Sequence, residues 1–127
     1  MQQQGRADAD RRAARQRELF LAYGLDPQVE RMYPHELSGG MARRVLLMCA
    51  LMDDPRLVIA DEPTGNLDPE TSWDIMDIFE RINRAGTTIV MATHDRNIVD
   101  TMKRRVIAIE DGQVVRDEAR GGYGYEA

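Results

Sequence analysis

The sequence predicts an α/β fold, a parallel sheet with flanking helices and a terminal β-hairpin, and three observations carry that prediction. Residues 57–60, Leu-Val-Ile-Ala, form an unbroken apolar run that ends in two adjacent carboxylates, Asp61 and Glu62. Downstream, Thr87-Thr-Ile-Val-Met-Ala-Thr93 is a second, β-branched run, and the residues between the two have a helical pattern. Asp111-Gly112 then separates two short apolar runs, the sequence of a tight hairpin turn. Short unbroken apolar runs read as strands buried on both faces. Strand, helix and strand at this spacing make a right-handed βαβ unit.

Composition narrows the function classes. The 127 residues suffice for one ordinary domain with a single core. A formal net charge of -5 argues against a nucleic-acid footprint, so no nucleic acid is expected among the partners. The first twenty residues hold five arginines against three acids, too small an excess to matter. No apolar run approaches the ~20 residues of a membrane span, and the N-terminus lacks a signal peptide's apolar centre. The chain reads as soluble and intracellular. Cys49 has no second cysteine to pair with, and its place inside an apolar helix predicts a packing role.

Taken in order, residues 10–23 predict a helix, arginine-rich early and apolar late, with Gly24 as its stop and the opening residues 1–5 frayed. Asp26-Pro27 suits the start of a short helix that Tyr33-Pro34 ends. Ser38-Gly39-Gly40 can cap the next helix, its glycines letting a ligand approach free N–H groups at the positive end of the dipole. Past Arg44 that helix is apolar on every side through Met52, which predicts burial all round. Asp68 caps another helix with Pro69 in its first position, reaching about Ala85 before Gly86. Its Ser72, Ile75, Met76, Phe79 and Ile82 share a face expected to pack on the sheet. A short helix over 96–104, a strand over 106–109 and a return strand over 113–115 complete the fold, with a loose glycine-rich tail over 121–127.

The topology predicts that Asp61, Glu62 and His94 converge at the carboxyl ends of the parallel strands, where ligands gather in open α/β sheets. Splitting a phosphoanhydride needs neutralised phosphates, a metal and an oriented water. Asp61 suits Mg2+, which keeps several waters and takes one or two carboxylates. Glu62 suits a base or water-positioner, and His94 could hold the terminal phosphate or the water. Each feature alone has a plainer reading: a helix cap or solvated turn for the acids, a polar loop residue for His94, a turn for Ser-Gly-Gly. His35 and Trp73 take the plain reading outright, Trp73 as a packing residue.

In combination the features point elsewhere. Leu37-Ser-Gly-Gly40, Leu57-Val-Ile-Ala-Asp-Glu62, Asn66-Leu-Asp68 and Thr93-His94 stand in an order and at spacings that resemble the nucleotide-binding domain of ABC-type ATPases. They look like that family's signature motif, Walker B strand with catalytic glutamate, D-loop and H-loop. The resemblance implies the C-terminal half of a P-loop NTPase domain: 1–54 as the remainder of the helical subdomain with the signature, and 55–127 as part of the RecA-like core. It implies ATP and Mg2+ as cofactors, with Asp61 on the metal through water and Glu62 and His94 as catalytic residues. It also implies a head-to-tail pair of ATPase domains, in which Ser38, Gly39 and Gly40 serve the partner's ATP and Asp68 lies at the dimer interface. A phosphate loop of the form Gly-x-x-x-x-Gly-Lys-[Ser/Thr] does not occur here, where Lys103 is the single lysine. The chain by itself is therefore expected to be inactive.

Residues 65–127 resemble the FtsE branch of cell-division ATPases, whereas 10–63 look closer to the ATPases of oligopeptide, dipeptide and nickel importers. FtsE-like chains more often carry Glu-Gln-Gln where this one has Met41-Ala42-Arg43. The resemblance implies an ATP-binding subunit on the cytoplasmic face of the cell membrane, beneath a permease or an FtsX-like integral-membrane partner. A subunit that only donates its signature motif is the alternative.

Overall fold

The computed structural model describes residues 2–25, 32 and 39–124, in two compact units, Met1–Met91 and Ala92–Ala127. The short helix expected after Asp26, the loop with His35, and Ser38 lie outside the described residues. The α/β architecture expected from sequence is present: α1 (Gln2–Ala22), α2 (Gly39–Leu51), β1 (Leu57–Asp61), α3 (Pro69–Arg84), β2 (Thr88–Ala92), α4 (Arg96–Met102), β3 (Val106–Glu110) and β4 (Gln113–Glu118). Strands β1 and β2 form a two-stranded parallel sheet, and β3 and β4 an antiparallel one.

Helix α1 begins at Gln2, not after a frayed start. Glutamine is a good helix former, and the helix continues through Gly5 despite that residue's penalty of about 1 kcal/mol. It ends as glycine at the C′ position dictates. Gly24 takes φ +77, Leu25 N–H donates to the Phe20 carbonyl (2.8 Å), and Phe20 and Leu25 are both buried. Arg81 of α3 closes this end from outside, donating to the Ala22 carbonyl (2.6 Å) with its guanidinium 5.0 Å from the Tyr23 ring centroid.

The core of the first unit lies along α3. Asp68 accepts from the Thr71 N–H (3.1 Å) and hydroxyl (2.6 Å), and Pro69 supplies the fixed φ of the first turn. The predicted face, Ser72, Ile75, Met76, Phe79 and Ile82, is buried together with Ile78. Trp73 is not part of it and stands 38 % exposed.

Two expectations of complete burial fail. Helix α2 buries Leu47, Met48 and Leu51 but exposes Leu46, Cys49 and Ala50, so Cys49 is not a packing residue. In β1 only Val58 is buried, while Leu57 and Ile59 are 50 % and 74 % exposed; Val90 of β2 is 52 % exposed. An apolar sequence says that a surface would gain by being covered, and it cannot say that a neighbour is there to cover it.

In the second unit Asp95 caps α4, accepting from Ile98 N–H (3.2 Å), and Lys103 ends the helix in the left-handed region. Asp111 and Gly112, at φ 50 and 76, make the two-residue turn between β3 and β4. Of the tail expected to be loose, residues 121–124 are held, and 125–127 lie outside the described residues. Gly121 N–H donates to the Arg104 carbonyl (3.1 Å), Tyr123 N–H to Asp100 (2.7 Å), and Arg116 to the carbonyls of Gly122, Tyr123 and Gly124 at 2.7–3.1 Å.

Arg105 binds Asp117 with a two-point fork (2.9 and 2.7 Å), and this hydrogen bonding holds the Asp117 carboxyl below its ordinary pKa. Because the folded value is the lower one, the contribution is complete above the unfolded value and disappears as pH falls through the folded one. Acidification below the usual carboxylate range is therefore expected to loosen the hairpin ends before the turn. Amide exchange at Val106 and Glu118, compared with Asp117→Asn at neutral pH, checks this.

Candidate functional site

The functional candidates of the first unit gather around the turn that follows β1. The strand delivers Asp61, exposed, and Glu62, half-buried, at its carboxyl end. Glu62 turns the chain with φ 46, a left-handed conformation that costs a non-glycine residue roughly 1–2 kcal/mol. The turn closes on itself: Gly65 N–H donates to the Glu62 carbonyl (3.1 Å) and Leu67 N–H to that of Thr64 (3.2 Å), with Thr64 buried and Asn66 also left-handed at φ 64. Asp68 leaves the turn directly into its capping role on α3, and hydrogen bonding by Thr71 holds its carboxyl below the ordinary pKa.

The start of α2 packs against this segment. A side chain on Gly40 would place its Cβ 2.5 Å from the Thr71 methyl, and one on Gly39 would lie 3.1 Å from Leu67. Gly40, predicted to face a nucleotide, is thus also constrained by packing within its own chain, and Gly39 lies closely against Leu67. Gly40→Ala is expected to push α2 off α3 at a cost of about 1–3 kcal/mol, read as a lower urea midpoint; Gly40→Ala combined with Thr71→Ser removes the methyl and should recover most of the loss. Arg43, one helical turn on, donates through Nη1 to the Glu62 carbonyl (3.0 Å) and through Nη2 to that of Gly65 (2.9 Å). Sequence reasoning missed it. The available signal was an arginine inside an apolar stretch, which must bond something.

A groove of about 540 Å³ opens beside Asp61 and Glu62, floored by Val58, Leu47 and Phe79 and flanked by Arg43 and Asn66. Among the described residues no group of three His, Cys, Asp or Glu side chains is placed to hold a metal ion. The donor set is one exposed carboxylate, Asp61, which fits a cation that retains its waters and not one that needs a protein cage.

His94 belongs to the second unit, exposed between β2 and α4, beside Thr93, whose hydroxyl accepts from the Asp95 N–H (3.0 Å). Of the candidate residues, Asp61 and Glu62 line one groove, while Gly39 and Gly40 pack on Leu67 and Thr71 either side of Asp68. No helix among the described residues is long and apolar enough to cross a membrane.

Strand-end acids, a glycine-led helix packed on the segment after their turn and a helix capped by Asp68 are joined here by a sequence match. A profile of the ABC transporter family matches residues 2–65, and the chain belongs to that family. Within it the chain is similar to the cell division ATP-binding protein FtsE of Streptococcus pneumoniae, 55% identical over 109 residues covering 86% of this chain and 47% of that one. It is similar also to FtsE of Bacillus subtilis, 61% identical over 94 residues, 74% of this chain and 41% of that one. A match of 109 residues is longer than the segment 65–127, so the likeness to FtsE extends into the earlier part of the chain. Among solved structures, a dimeric ATP-binding cassette in a post-hydrolysis state bound to ADP and Pi superposes with a TM-score of 0.71 at 34% identity, over 87% of this chain and 47% of that one. The chain spans about half the length of these relatives.

Proposed function

We propose that this chain is the signature-bearing, Walker B-bearing part of an FtsE-like ATP-binding subunit, which uses ATP binding and hydrolysis to drive a membrane partner. The observation that carries the reading is the emergence of Asp61 and Glu62 from a strand end into an open groove that α2 lines with Arg43, Leu46 and Leu47. In this reading 1–54 completes the helical subdomain and 55–127 the core. Asp61 would hold Mg2+ through water, and the ion bound there would supply neutralisation of phosphate charge. Glu62 orients or deprotonates the attacking water, and His94 hydrogen-bonds the terminal phosphate. Ser38, Gly39 and Gly40 offer N–H and hydroxyl donors to the ATP of a second ATPase domain paired head to tail, and Asp68 lies at that interface.

The membrane partner is an FtsX-like or permease subunit, with the chain docked peripherally on the cytoplasmic face. The names of the FtsE relatives support the cell-division branch; peptide or nickel import is the competing assignment. A second reading is donation of the signature motif without catalysis. Mixing the chain with an intact FtsE cassette tests the donor role. Turnover is expected to rise, and Ser38→Ala to remove the gain by about ten- to a hundredfold, the worth of a hydrogen bond to a charged group. No gain with either chain would refute it.

A further inference from the structure

We infer that Arg43 is the positioning residue that fixes the turn carrying Glu62. The inference assigns a task to a side chain outside every motif of the family resemblance, and it rests on the reading of Glu62 given above. The Glu62 carbonyl accepts twice, from Gly65 N–H inside the turn (3.1 Å) and from Arg43 Nη1 across from α2 (3.0 Å). The second guanidinium nitrogen takes the Gly65 carbonyl (2.9 Å). The two ends of the turn are therefore tied to one rigid plane. That plane is set by α2, whose first residues are in turn seated on Leu67 and Thr71.

The left-handed backbone at Glu62 makes this tie consequential. A residue at φ 46 stays there only if its surroundings over-determine it. Inside the turn the Gly65 N–H holds the Glu62 carbonyl; the arginine adds a bond from α2 to the same oxygen and holds the peptide that follows Glu62. Lysine cannot replace it, because an ammonium is a point donor that lacks the guanidinium's planar fork. Gly65 belongs to the same device, since a Cβ there would stand 3.3 Å from the Glu62 carbonyl oxygen and 4.0 Å from Arg43 Nη2.

The test is residue-resolved amide exchange and carbonyl 13C shifts on the isotopically labelled 127-residue chain, unmodified and as Arg43→Ala and Arg43→Lys. Both variants are expected to exchange at least tenfold faster at Gly65 and Leu67, with upfield-shifted Glu62 and Gly65 carbonyls, while Ile78 and Phe79 in α3 keep their rates. Exchange at Gly65 and Leu67 within twofold of the unmodified chain in both variants overturns the inference. Equal acceleration at Ile78 and Phe79 also overturns it, because the arginine would then be a packing residue of the whole unit. Arg43→Lys keeps the charge and the aliphatic stem, so it answers the question if Arg43→Ala fails to fold. These readouts need no ATP: their failure leaves the ATPase reading standing, and failure of that reading leaves them interpretable.

Discussion

Ile82→Ala is expected to remove about 2–5 kcal/mol from the first unit, the range for truncating a buried branched side chain that leaves a cavity behind. Ile82 is 1 % exposed and closes the same apolar face as Ile75 and Phe79. A domain of this size has only about 5–15 kcal/mol of stability in all, so the variant should lose most of its cooperative transition by urea-monitored circular dichroism. Asp77→Ala, one turn away on the exposed side of α3, should leave the midpoint unchanged. Equal effects from the two substitutions would mean that the packing along α3 does not hold this unit together.

The second large effect concerns association. Leu46 on α2, Ile59 on β1 and Val90 on β2 stand 67 %, 74 % and 52 % exposed. Complete coverage of one leucine or isoleucine is worth roughly 1.5–3 kcal/mol, and each 1.4 kcal/mol is tenfold in an association constant. The chain is therefore expected to self-associate as its concentration rises. Leu46→Lys with Ile59→Thr should weaken that association at least tenfold by sedimentation velocity, without lowering the thermal midpoint. Unchanged association would move the sticky surface elsewhere, with the exposed Ile107, Ile109 and Val114 of the hairpin as the next candidates.

What was legible in the sequence was whatever depends on neighbours along the chain. Asp68-Pro69 announced the start of α3, the spacing of Ser72, Ile75, Met76, Phe79 and Ile82 announced its buried face, and Asp111-Gly112 announced the hairpin. Tertiary coverage was not legible. Uniform apolarity in α2 and β1 predicted burial, and the exposed Leu46, Cys49 and Ile59 show that the covering surface is not supplied by the described residues. The tail erred in the opposite direction. Glycine content suggested looseness, but backbone groups at 121–124 find Arg116, Asp100 and Arg104, partners set by the fold and invisible in composition.

The site divides in the same way. Order and spacing singled out Asp61, Glu62 and Asp68 as candidates, and the structure places them where local sequence put them, at a strand end and a helix cap. Arg43 escaped because its task is to bond two carbonyls about twenty residues away, and a helix position gives no sign of that. Gly39 and Gly40 read as a ligand approach, whereas the contacts with Leu67 and Thr71 give them a packing duty as well. Both duties require the same residue type, so the sequence could not separate them.

Asp61 and Glu62 are proposed to serve an ABC-type ATP site, and no phosphate-binding loop of the form Gly-x-x-x-x-Gly-Lys-[Ser/Thr] occurs among these 127 residues. Steady-state phosphate release by the purified chain with ATP and Mg2+, alone and with an intact FtsE cassette, tests that proposal most directly. No release is expected from the chain alone, and a Ser38-dependent increase in the mixture. Robust turnover by the chain alone, abolished by Glu62→Gln, would contradict it.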